Sequence, residues 1–312
     1  MQKKKEGMKM ENFLKMVDIQ SVLLIYMLMG VYARKKQIIN EQNQQKFIDF
    51  VLNILMPCMV FNSFKNMTLD NLRAAAVALI VSLVICLLAI WLGRIAYRDF
   101  SEDKQSVMKY ATLVNNAGFA GLPLANDTFG AEGLMYASVF VVPNRVFMWS
   151  AGISMLSHSD ADQKDIVWKV LKNPNIIAVE LGMIRGLLQI TFPDFIEITL
   201  ERTGACVAPV SMMIVGAMIA DVGLRNVMEK GILRVALIRM IILPVITFLI
   251  LHGLGMGEAL IGSSMILSAM PAGATTVLLS ARYHANVEYA SKLVLVTTVM
   301  SLVTAPLLMF LL

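Results

Sequence analysis

Asn115-Asn116-Ala117-Gly118-Phe119-Ala120-Gly121-Leu122-Pro123 interrupts one apolar stretch of this 312-residue chain, and Ser268-Ala269-Met270-Pro271-Ala272-Gly273-Ala274-Thr275-Thr276 interrupts another. A helix in lipid must satisfy its backbone hydrogen bonds internally. Unwound backbone at membrane depth therefore persists only where protein or a water-filled cavity covers it. One broken span in each half of a chain is the pattern that points to the substrate site of a secondary transporter.

The rest of the chain fits a membrane setting. It is 57% hydrophobic and 16% charged, against about 25% charged in soluble domains. The mean hydropathy of +0.69 leaves little room for a soluble module, so residues 1–312 read as a single transporter domain. The isoelectric point near 9.1 does not argue for nucleic acid. Lys and Arg are spread through short loops between apolar spans rather than gathered on one basic face. Cys58, Cys86 and Cys206 fall within apolar spans and lack the clustering of a disulfide framework or a zinc site. They read as buried small hydrophobes. The start, with Lys3, Lys4 and Lys5 ahead of an apolar run, resembles a signal peptide, but the run is needed as the first span of a continuing series.

A bilayer core takes about 20 apolar residues per helix. Ten candidates follow, near 17–35, 46–64, 74–95, 107–127, 133–156, 174–192, 203–223, 232–253, 258–281 and 290–311. The longest linker, 157–173, is polar, with Asp160, Asp162, Lys164 and Asp165, and divides the chain in its middle. The loops after spans 1, 3, 5, 7 and 9 hold most of the Lys and Arg, among them Arg34, Lys35, Arg94, Lys104, Lys164, Lys169, Arg225, Arg234 and Arg282. The opposite loops hold Lys65, Arg73 and Arg202. Cytoplasmic loops carry the positive excess, so both termini are expected outside the cytoplasm of a multi-pass plasma (cytoplasmic) membrane protein. The basic tail argues the other way and is outweighed by five agreeing loops.

Five spans per half place the halves in opposite orientation, as repeats of about 17–156 and 174–312 joined by a cytoplasmic linker of about 157–173. Sliding the first half by 152 residues lays Pro57 on Pro209 and brings Pro123 to position 275, inside the second broken stretch. Proline is common in membrane helices, but two matching pairs at one offset favour an inverted repeat.

At these residues the chain resembles the auxin efflux carrier family, bacterial relatives of the plant auxin transporters. The likeness runs nearly end to end. It rests on Asn53-Ile54-Leu55-Met56-Pro57, on the 115–123 stretch above all, on Phe129-Gly130 with Gly133-Leu134, on Asn144 with Trp149-Ser150-Ala151-Gly152, on Asn173-Pro174, and on Pro209 to Gly216. The resemblance implies an all-α integral membrane protein of ten helices in two inverted five-helix repeats, with spans 4 and 9 broken and crossing. It also implies a scaffold of spans 1, 2, 6 and 7, a mobile domain of spans 3–5 and 8–10, elevator-type alternating access, and often a homodimer. Substrates in the family are malate, malonate and similar carboxylates, or auxin-like acids. Glu180 and Arg185 depart from the apolar character expected of span 6.

Half-helix ends supply the candidate chemistry. Their N-termini carry roughly half a positive charge and free N–H groups, which suit a carboxylate. Asn115 and Asn116 offer amide donors and acceptors there, or else serve only the broken backbone. The resemblance places the second Asn and the following Pro123 at the substrate. Gly118 and Gly121 admit close backbone approach. Pro271, Gly273, Thr275 and Thr276 are the counterparts in span 9; the Thr hydroxyls suit a carboxylate, a cation or a helix carbonyl equally. Arg145, beside Asn144, costs about 2.5–3.5 kcal/mol at mid-membrane on insertion scales and so must face the bundle or a cavity, either as the partner of an anion or as a link between helices. Arg239 is expected to snorkel toward the cytoplasmic end. Glu180 is the candidate for proton coupling, and Gly182 with Gly186 reads as a close helix-packing surface.

His158, His252 and His284 form no metal constellation, and no phosphate loop or nucleophile–base motif occurs. The chain is therefore expected to be no enzyme and to hold no cofactor beyond a coupling ion, H+ or Na+. Its partners are a small carboxylate, the lipid bilayer and a second copy, not nucleic acid. The leading reading is a secondary transporter of small organic anions. The alternative is a non-alternating channel or a membrane ligand sensor on the same fold.

Overall fold

The computed structural model describes residues 2–156, 172–220 and 227–312, all of them helix, turn or loop apart from one isolated backbone bridge. The central linker expected over 157–173, with Asp160, Asp162, Lys164, Asp165 and Lys169, lies outside the described residues except for its last two positions. So do His158 and Arg225.

Eleven helical segments carry the argument. They are α1 (Gln2–Lys35), α2 (Gln44–Ser63), α3 (Leu69–Ala96), α4 (Glu102–Leu113), α5 (Ala117–Leu156), α6 (Pro174–Leu187), α7 (Asp194–Ile219), α8 (Lys230–Gly253), α9 (Glu258–Ala269), α10 (Thr275–Arg282) and α11 (Val287–Leu311). Among the described residues seven, α1, α2, α3, α5, α7, α8 and α11, are long and apolar enough to cross a membrane. The chain is an all-α, multi-pass membrane protein. Its helices turn Ile80, Trp91, Leu188, Phe195 and Val303 outward, an apolar exterior that water would not tolerate at this extent but lipid solvates.

Where the ten expected spans and the seven long helices differ, the chain shows why. The apolar run near 107–127 is split by Val114–Asn116 into the short α4 and the start of α5. The run near 258–281 is split by residues 270–274 into α9 and α10. The run near 174–192 holds only the 14-residue α6, closed by Gln189 at φ 52°. The two runs near 107–127 and 133–156 are joined through α5, which breaks at Gly130, φ 66° and ψ −161°, a conformation that favours glycine.

Proline placement explains three of the irregular turns. Widened, π-type turns at Val51–Leu55, Ala117–Gly121 and Ile238–Ile242 lie just ahead of Pro57, Pro123 and Pro244. A proline supplies no N–H and crowds the carbonyl four residues back, and a locally widened turn relieves both effects.

Glycine sets the closest helix contact. A Cβ on Gly30 would strike the Met213 carbonyl, and one on Gly216 the Met27 carbonyl. Thus α1 and α7 run antiparallel with backbone against backbone, the close packing that small residues permit in lipid. Gly182 and Gly186 of α6 meet Phe61, Phe64 and Met67 at the end of α2 in the same way, so that pair serves packing within the chain. At one end of the bundle, Lys104–Glu229 at 2.6 Å, Arg234–Asp99 at 2.6 Å and Asn286–Asp103 at 2.8 Å tie the α3–α4 corner to α8 and to the α10–α11 turn.

Candidate functional site

Two interrupted helices cross, and their unwound stretches bond to each other. The Asn116 N–H donates to the Pro271 carbonyl at 2.8 Å, and the Gly273 N–H donates to the Val114 carbonyl at 3.2 Å. These bonds frame an antiparallel bridge between Asn115 and Ala272. Gly273 lies against the Asn115 backbone, and Gly121 against Met270 and Leu267, so larger residues would spread the crossing. Asn115 and Pro271 are both buried. Chain breaks 155 or more residues apart in sequence thus form one structure.

Four helix ends converge there, and several of their orphan backbone groups find partners. At the α4 end, Leu113 O accepts from the Asn144 side chain at 2.8 Å and from Arg239 at 3.3 Å. Thr112 O accepts from Arg239 as well. At the α9 end, Leu267 O accepts from the Asn115 side chain, and Met270 O accepts from Arg239 Nε at 3.2 Å. The Ala272 N–H donates to Thr297 Oγ1 at 3.2 Å.

The two adjacent asparagines therefore do different work. Asn115 is committed on both sides: its amide donates to Leu267 O, and its oxygen accepts from the Ala117 N–H at 3.3 Å. Asn144 likewise caps α4. The Asn116 side chain makes no hydrogen bond to another described residue and lines a cavity of about 260 Å³. Arg34, Glu41 and Gln44 line the same cavity, together with Ala274 and Ser291. On its other side Asn116 borders a void of about 20 Å³ that Gln20, Pro271 and Thr298 also line.

Arg145 sits against Gly118, where an added Cβ would collide with its guanidinium. Among the described residues it pairs with no carboxylate, and its directional contact is to Met148 Sδ at 3.7 Å. Tyr110 Oη donates to Thr275 Oγ1 at 3.0 Å, whereas the buried Thr276 hydroxyl has no partner among the described residues. Pro123 opens the regular part of α5 one turn beyond the break. The crossing thus gathers Asn115, Asn116, Gly118, Gly121, Pro123, Asn144, Arg145, Pro271, Gly273, Thr275 and Thr276.

Two placements differ from the sequence expectation. Glu180 is exposed on the outer face of α6, while Asn175, Ile176 and Val179 of that helix turn inward toward Arg145. It is not brought to the crossing. Arg239 does not snorkel: it is 3% exposed and holds three carbonyls of the broken helices. Arg185 also finds a partner unforeseen from spacing. It is ion-paired with Glu197 and lies over the Phe61 and Phe192 rings at 5.2 and 5.0 Å. In the sequence Arg34 counts only as a loop charge, and nothing marks Tyr110, Ser211 or Thr297 as part of the site. A lone Arg nine residues inside an apolar span was the one available sign for Arg239. Among the described residues no cluster of His, Cys, Asp or Glu suits a metal ion.

A family model described as membrane transport protein matches the chain over residues 16–166 and again over 162–309. The chain is 24% identical to an uncharacterised transporter of Methanocaldococcus jannaschii, covering 92% of this chain and 95% of that protein. It is 25% identical to one from Methanothermobacter thermautotrophicus, covering 91% and 94%. It is 20% identical to the uncharacterised transporter YfdV of Escherichia coli, again over 91% and 94%.

Proposed function

This chain belongs to the membrane transport protein family of auxin efflux carrier type, and from that premise we propose that it is a secondary transporter of small organic anions. The observation that carries the reading is the open Asn116 amide, set on crossed, interrupted helices at the end of a 260 Å³ cavity. Interrupted intramembrane helices frame ligands because their ends present unpaired N–H groups and partial charge to a covered space. Arg145, a half-buried cation without a carboxylate partner among the described residues, supports a negatively charged substrate. The class that fits is malate, malonate or an auxin-like acid.

In this reading the chain has ten membrane segments in two inverted five-helix repeats, with α4 and the start of α5 as one broken span and α9 with α10 as its counterpart. The glycine-locked pair α1 and α7, with α2 and α6, forms the scaffold. The crossing moves past it in elevator fashion. Transport is secondary, driven by a gradient of H+, Na+ or the substrate itself, and the protein works without a cofactor or a catalysed reaction. It sits in the cytoplasmic membrane with both termini outside, as a homodimer.

Uptake and counterflow of labelled malate, malonate and auxin-like acids in proteoliposomes test the proposal, with Asn116→Ala and Arg145→Ala in parallel. Uptake of one acid by the parent and its loss in both variants is expected. Parent-like uptake of every transported acid by both variants overturns the site.

A further inference from the structure

Arg239 lies nine residues past the start of an apolar helix and carries a full charge, and among the described residues it forms no ion pair with a carboxylate. Its partners are backbone carbonyls from two different helices. Nη1 donates to Thr112 O and Leu113 O at the end of α4, and Nε donates to Met270 O just past the end of α9. Both acceptor sites are helix C-termini. Each such end carries roughly half a negative charge from carbonyls that lack an amide partner. Two of them meeting in a covered space amount to roughly one negative charge, and Arg239 supplies one positive charge against them.

The opposite ends of the interrupted spans face the same crossing. The start of α5 and the start of α10 each bring roughly half a positive charge to it. With the C-terminal ends neutralised, the N-terminal ends set the local potential. With Arg239 uncharged, the four ends nearly cancel, and the crossing loses its preference for an anion. We infer that Arg239 is the positioning residue that sets the charge selectivity of the crossing, by cancelling the negative ends of α4 and α9 while holding them together. The inference adds a second role to the structural one, and its part concerning substrate rests on the anion-transporter reading above.

The local potential can be measured without any substrate. With Cys58, Cys86 and Cys206 replaced by Ala, an Asn116→Cys probe in the 260 Å³ cavity is modified by an anionic and by a cationic methanethiosulfonate reagent of equal size. The ratio of the anionic to the cationic rate reports the sign of the potential. Arg239→Gln keeps hydrogen-bond donors and removes the charge. Arg239→Lys keeps the charge with fewer directed donors.

The ratio is expected to fall about tenfold or more in Arg239→Gln, the scale of a unit charge acting over about 10 Å at intermediate dielectric, and to stay within about twofold in Arg239→Lys. An unchanged ratio in Arg239→Gln, or an equal fall in both variants, overturns the inference. If the Gln variant does not purify as a single species, Arg239→Lys decides alone: a preserved ratio supports the charge role and a fallen one rejects it. Binding of a mono- and a dicarboxylate to purified protein is the second arm. A larger loss for the dicarboxylate in Arg239→Gln is expected. A shifted reagent ratio without carboxylate binding by the parent supports the role of Arg239 and rejects the organic-anion reading instead.

Discussion

Ser211 Oγ donates to the Phe119 carbonyl at 2.9 Å, an acceptor whose ordinary helical partner four residues on is Pro123, which has no N–H. The bond joins α7 to the interrupted stretch. In an elevator mechanism it spans the surface along which the moving part slides, so it must break in each cycle. Ser211→Ala removes a bond worth about 1 kcal/mol from one end state only. Counterflow in proteoliposomes is expected to speed up about two- to fivefold in that variant, with substrate affinity within twofold of the parent. A slower exchange places Ser211 outside the sliding surface.

The unequal commitments of the adjacent asparagines give a paired prediction. Asn115→Ala leaves the buried Leu267 carbonyl only the long 3.4 Å bond from the Met270 N–H and should lower stability by about 1 kcal/mol. Asn116→Ala breaks no side-chain bond to a described residue and should melt within about 2 °C of the parent while losing at least about tenfold in carboxylate affinity. Thermal unfolding in detergent with and without ligand separates the two. Equal melting losses for both variants contradict the assignment.

Gly216→Ala places a methyl group against the Met27 carbonyl, where backbone cannot yield without parting α1 from α7. A loss of about 1–3 kcal/mol, the usual cost of overpacking, is expected as a lowered melting temperature. Gly253→Ala, whose added Cβ would meet nothing within 4 Å, is the control and should melt like the parent.

Arg234 donates to Asp99 Oδ1 at 2.6 Å, and that hydrogen bond holds the Asp99 carboxyl below its ordinary value. A depressed carboxyl stabilises the fold at pH above its unfolded value, and the contribution fades as pH falls through the folded one. Asp99→Asn is therefore expected to melt slightly below the parent at pH 7. The two curves should converge only on acidification under about pH 4. A gap that widens in acid reverses the sign of this contribution.

The exposed position of Glu180 leads to a further expectation. The Glu180 carboxylate lies exposed on the outer face of α6, away from the crossing, so Glu180→Gln is expected to leave any pH-gradient dependence of uptake intact. Loss of that dependence would return Glu180 to the coupling route.

The interruptions were legible because helix-breaking residues have no innocuous place in lipid. Asn-Asn followed by Gly, Gly and Pro, and Met-Pro-Ala-Gly later, predicted chain breaks by type alone, and the breaks lie at 114–116 and 270–274. Which side chain faced which neighbour was not legible. Hydropathy averages around a helix, so it carries no information on whether Arg239 points along its helix or into the bundle, or whether Glu180 points in or out. Asn115 and Asn116 differ by one position and by nothing in chemistry. The turn of the unwound backbone between them, together with the register of a partner more than 150 residues away, decides that one caps Leu267 and the other meets the cavity. The length of α6 was overestimated because Ile190, Thr191 and Phe192 continue an apolar pattern after the backbone has already turned at Gln189.

Between α1 and α7 no side chain acts as a spacer at the glycine positions, so carbonyl oxygens of one helix rest on bare α-carbons of the other. Side chains are what let neighbouring helices creep, by exchanging rotamers. Rods that touch without them have one fitted alignment and nothing to lubricate a shift. The pair is therefore a stiff girder, and a transport cycle of the proposed kind would have to place its displacement on the surfaces around it and leave this seam shut.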